Sequence, residues 1–87
     1  MLKPYSNKEI MMLLGERAKT YRQNLSMSQE QLADESGISL STIQKFESGK
    51  ANISLNNLLT ILRQLGQIEN VDLLLPEQPN NPYRNRL

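Results

Sequence analysis

The sequence has 87 residues, ten Lys plus Arg against nine Asp plus Glu, a net charge of +1, and neither Cys nor His. That length suits one domain with a single modest core. The missing thiols and imidazoles exclude disulfides and the usual zinc ligand sets, so no metal or cofactor is expected. Acid–base catalysis near neutral pH would need a strongly shifted carboxylate, Lys or Tyr, which argues against an enzyme. The near-zero charge neither demands nor excludes nucleic acid, so any polyanion site must come from geometry that concentrates a few cations.

Helical signals then recur along the chain. Ser6 and Glu9 have capping-box spacing, and Ile10, Leu13, Leu14, Ala18 and Tyr21 follow at offsets that share one face. Helix one is predicted near residues 7–23. Ser28 with Gln31 forms a second box, opening a short helix two whose inner side carries Leu32 and Ala33 and which stops at Gly37. Ser39 opens helix three, with Ile43 and Phe46 inward and an end at Gly49. Ser54 opens helix four, an apolar run through Leu55, Leu58, Leu59, Ile61, Leu62 and Leu65 that halts at Gly66. Helix five is predicted over residues 69–75, before Pro76.

From Pro76 the chain reads "PEQPNNPYRNRL", with three prolines and three asparagines, a composition that does not sustain a packed element. The division expected is therefore a domain over residues 1–75 and a flexible tail over 76–87. No segment alternates for long enough to predict a strand, so the fold class is all-α. The apolar run after Ser6 is too short for a membrane span or secretory signal, and the protein is expected in the cytoplasm.

"LADESGISLSTI" joins helices two and three. Ala33 is small where the helices cross, Gly37 is suited to a left-handed backbone, Ile38 plugs the turn, and Ile43 returns the chain to the core. This pattern describes two short helices at a steep angle on one cluster, a helix-turn-helix. A generic helical bundle with a short loop is the competing reading. The segment "YRQNLSMSQEQLADESGISLSTIQKFESGK", followed by "ISLNNLLTILRQLG", resembles the Cro and lambda-repressor class of helix-turn-helix domains. The resemblance implies a compact five-helix DNA-binding domain, bound to operator on the bacterial nucleoid.

It further implies that helix three enters the major groove N-terminus first, where base edges present distinguishable donors, acceptors and methyls. Leu40, Ser41, Gln44 and Lys45 are then the base-reading candidates, with Gln44 suited to adenine, Lys45 to guanine or a phosphate, and Leu40 to a thymine methyl. Each can equally be ordinary solvated helix surface. Ser28 and Gln29 at the start of helix two, and Lys50 and Asn52 after helix three, are the phosphate candidates. In resembling domains an arginine late in helix one pairs with an acid late in helix three, positions held here by Arg22 and Glu47. Asp34 and Glu35 are sequence neighbours that point apart on a helix, so they make no catalytic or metal pair.

One recognition helix reads too few bases to select an address, so a homodimer on a palindromic operator is expected. Ile68, Val71, Leu74 and Leu75, with part of helix four, are the interface candidates, closure of the protein's own core being the alternative. "LLTILRQLGQIENVDLLLPEQPNNPYRNRL" is also similar to the end of HipB-like regulators, antitoxins encoded beside HipA-like kinase toxins. That similarity implies a dimeric autorepressor that also contacts the kinase. Tyr83, Arg84, Arg86 and Leu87 suit a docking element, a nonspecific phosphate contact or a solubilising end. A phage-type or stand-alone repressor, and a module used mainly for protein interaction, are the alternative functions.

Overall fold

The computed structural model describes residues 3–79. Most of the tail, including Tyr83, Arg84, Arg86 and Leu87, lies outside the described residues. Five α-helices, α1 (Asn7–Asn24), α2 (Gln29–Ser36), α3 (Leu40–Glu47), α4 (Leu55–Gln64) and α5 (Val71–Leu74), follow one another, with a 3-10 turn at Ile68–Asn70 ahead of α5. No strand occurs among the described residues. The fold is the all-α helix-turn-helix arrangement expected from the sequence.

A serine begins each of the first four helices. Ser6, Ser28, Ser39 and Ser54 each accept the backbone N–H three residues on, at 3.1, 3.0, 3.2 and 3.0 Å. Each cap satisfies an otherwise orphaned donor and contributes about 1 kcal/mol. At Ser6 and Ser28 the reciprocal bond is made as well, from the serine N–H to Glu9 at 2.9 Å and to Gln31 at 2.8 Å. Gly37 ends α2 with φ +75°, a left-handed turn that an L side chain resists, and this sends the chain sharply into α3.

The core is small. Leu32, Ile38, Ile43, Phe46, Ile61 and Leu65 are buried, with Ala18, Met27, Ala33, Ile53 and Leu58 packed against them. Leu32, Ile43 and Ile61 are at most 1% exposed, so each contributes roughly 1.5–3 kcal/mol of apolar burial. These residues come from α2, α3 and α4, with α2 packed against both of the others. α1 packs on α3 and hardly touches α4. The close approach runs through Gly15, where a β-carbon would collide with the carbonyl oxygen of Phe46.

Two expectations change. Leu14 and Tyr21, assigned to the inner face of helix one, are 40% and 43% exposed. The buried positions of α1 are instead Gly15 and Arg22, because α1 leans on the end of α3 and leaves the side toward α4 uncovered. Helix five is shorter than its predicted seven residues, since Ile68–Asn70 wind as 3-10 and only Val71–Leu74 are α-helical. Neither segment has a side-chain cap, and Pro76 prevents extension at the other end.

Candidate nucleic-acid interface

α3 divides cleanly by chemistry. Its cap Ser39 bonds Thr42 through both the Thr42 backbone N–H and its hydroxyl, which fixes where the first turn begins. Ile43, Phe46 and Glu47 face inward and are buried. Ser41, Gln44 and Lys45 lie exposed on the opposite side, and Leu40 is half-buried at the leading edge. Positions i, i+1, i+4 and i+5 make one stripe at the helical period. Among the described residues, the side chains of Ser41, Gln44 and Lys45 make no hydrogen bond, the Ser48 hydroxyl reaching only the Lys45 backbone carbonyl at 3.2 Å, so their side-chain donors and acceptors stay available.

The inner side is held by charge as well as apolar contact. Arg22 Nε donates to Glu47 Oε2 at 2.8 Å, and a second guanidinium nitrogen donates to Oε1 at 2.9 Å. This bidentate fork is buried, with the two residues 6% and 7% exposed. Its hydrogen bond to Glu47 raises the Arg22 pKa, outweighing the opposing effect of burial. The third guanidinium nitrogen donates to the Met27 carbonyl at 2.7 Å. Ser26, with φ +55°, turns the α1–α2 connection that brings this carbonyl round. The pair thus ties α1, the entry to α2 and the end of α3 into one unit.

Gln29 joins that unit. Its side-chain amide donates to Glu47 Oε1 at 3.0 Å and the residue is half-buried, a bond that the sequence pattern did not signal. The second amide N–H, the amide oxygen and the backbone N–H at the start of α2 remain for an outside group. Ser28 is exposed, and its oxygen is engaged with Gln31, leaving the hydroxyl proton for an external acceptor. Lys50 and Asn52 are exposed in the loop between α3 and α4. The Lys50 backbone N–H bonds the Lys45 carbonyl at 2.9 Å, so that loop leaves α3 in a fixed direction.

The dimer candidates divide between two environments. Ile68 and Val71 are half-buried, whereas Leu74 and Leu75 are 69% and 84% exposed, beside Leu73 at 78%. Next to them an open apolar groove runs between Leu14 and Tyr21 of α1 and Leu58 and Leu62 of α4, ending at Val71 and Leu74. No group of acidic residues suited to a metal occurs among the described residues. No described helix is long and apolar enough to cross a membrane. A family model described as helix-turn-helix matches residues 19–69, more than half of the chain. No curated protein matches it.

Proposed function

The chain belongs to the helix-turn-helix family of DNA-binding transcription regulators, and from that premise we propose that it is a sequence-specific repressor that binds a palindromic operator as a homodimer. The observation that carries this reading is the outer stripe of α3. Ser41, Gln44 and Lys45 keep free hydrogen-bonding groups on a helix whose inner side is locked by Ile43, Phe46 and the Arg22–Glu47 fork. Rigid support with a free outer face suits readout of the major groove. Gln44 pairs with adenine, Ser41 donates or accepts, Lys45 takes guanine or a phosphate, and Leu40 packs on a thymine methyl.

Ser28, the N-terminus of α2, Lys50 and Asn52 hold backbone phosphates on either side. Repression by occupancy needs no chemistry in this chain. The exposed run Leu73–Leu75 beside an apolar groove supports pairing of two copies, because one patch can bury the other in an isologous contact. The similarity of "LRQLG" and "LLPE" to HipB-like ends supports autorepression and a HipA-like kinase toxin as partner. The same exposed leucines favour a second reading, in which contact with that toxin is the main task.

The deciding experiment isolates the protein on random duplex DNA and reads the enriched motif. A palindrome with half-sites about one helical turn apart is expected, as is lost selectivity in Ser41→Ala/Gln44→Ala with an unchanged melting temperature. A double variant that binds the selected duplex as tightly and selectively as the parent refutes the assignment of this face.

A further inference from the structure

Where α1 begins, it passes close to the loop that follows α3. The two are locked together at Gly49, whose φ is +74° and where a β-carbon would stand 2.8 Å from Met12 Cγ. Beside that contact lies an open cleft floored by Met11 and Gly49 and walled by Asn7 and Lys8 of α1 and by Lys50 and Asn52 of the loop. Lys8 and Lys50 therefore face one concavity from elements 42 positions apart in the chain. Neither lysine has an ion-pair partner among the described residues, where the one salt bridge is Arg22–Glu47. No carboxylate lines the cleft. Glu9, next in sequence to Lys8, has its carboxylate turned onto the Ser6 N–H at 2.9 Å.

We infer that this cleft holds a phosphodiester of the duplex bound by α3, with Lys8 and Lys50 as its two cations and the Asn7 and Asn52 amides as donors. The inference rests on the reading of α3 as the base-reading helix. A helix lying in the major groove has a sugar–phosphate backbone on each flank, and the loop carrying Lys50 leaves directly from the C-terminal end of α3. Paired ammonium groups in a concavity, at a helix end with outward-pointing N–H groups, favour a group of one negative charge with several acceptor oxygens. The chain has a net charge of only +1, so such local pairing, and not overall charge, must supply its grip. Lys8 is outside the matched helix-turn-helix segment of residues 19–69, and it makes α1 an active part of the DNA surface.

The test uses the full chain with the duplex recovered from random DNA, and compares the parent with Lys8→Gln and Lys8→Arg. For Lys8→Gln the slope of log affinity against log salt should flatten by about 0.9 per protomer, the value for one phosphate contact. The loss should be equal on selected and scrambled duplexes, because phosphates carry no sequence information. Lys8→Arg should restore the slope. Lys8 is exposed, so a thermal melt matching the parent is expected throughout. A folded Lys8→Gln protein with the parental slope, or a loss confined to the selected sequence, overturns the cleft. If that occurs while Ser41→Ala/Gln44→Ala still loses selectivity, the cleft alone fails. A parent that prefers no duplex overturns the reading of α3 and the cleft with it.

Discussion

Replacing Glu47 with alanine removes one half of a charge pair buried between α1 and α3. Arg22 then keeps the Met27 carbonyl at 2.7 Å but loses two carboxylate bonds of 2.8 and 2.9 Å. A guanidinium has no neutral form to adopt at ordinary pH, so the charge stays buried and largely unpaired. Breaking one side of such a pair costs about 3–5 kcal/mol. Domains of this size are stable by about 4–13 kcal/mol in total, so the loss takes a large share of the reserve. With a urea dependence of about 1–2 kcal/mol per molar, the unfolding midpoint should fall by about 1.5–5 M. The companion variant Arg22→Met/Glu47→Leu removes both charges and fills the space with apolar atoms, and should lie within about 2 kcal/mol of the parent. Urea titration of the parent, Arg22→Met, Glu47→Leu and the pair closes a double-mutant cycle, with an expected coupling of about 2 kcal/mol or more. A Glu47→Ala protein within about 0.5 kcal/mol of the parent refutes this account, as does a double variant that loses the sum of the singles.

Two further outcomes follow from contacts on α1. Gly15→Ala gains about 1 kcal/mol of helix propensity, but its methyl meets the Phe46 carbonyl oxygen. Overpacking against backbone costs about 1–3 kcal/mol, so a net loss of about 1 kcal/mol and a melting temperature lower by about 4–8 °C are expected. A variant as stable as the parent means that the helices do not approach so closely. The Glu9 carboxyl is held below the usual carboxylate pKa, first by the Ser6 backbone N–H and then by the Ser6 hydroxyl. A depressed folded pKa gives stability that is present above the unfolded pKa and lost as pH falls through the folded value. The melting temperature of the parent should therefore exceed that of Glu9→Gln near pH 7 and converge toward it from about pH 5 down to about pH 3. A difference that stays constant with pH contradicts that role for Glu9.

The helix starts were legible because a serine precedes each of the first four and its partner three residues on is fixed by backbone geometry. The turn between α2 and α3 was legible for the same local reason, through Gly37 and Ile38. What escaped the sequence depends on which neighbour arrives. Periodicity marks Leu14 and Tyr21 as apolar and on one face, yet no helix comes to cover them. Gly15 interrupts that pattern, and a glycine inside a helix often signals close packing, but its partner is a backbone carbonyl with no sequence signature. Gln29 looked like a free polar residue at a helix start. Its bond to Glu47 spans 18 positions, and nothing local in its surroundings encodes that link. Helix five misled by composition, because a run of apolar residues shows length without showing that the turn can be capped.

The separation of α3 into a locked inner side and an unengaged outer side bears on how such a regulator changes its target. Exposed substitutions that break no internal bond usually alter stability by less than about 0.5 kcal/mol. Residues 41, 44 and 45 can therefore vary with little penalty in folding, while change at residues 43, 46 and 47 is purged through instability. On the proposed reading of α3, new operator preferences can accumulate in a lineage by single steps, each yielding a folded protein.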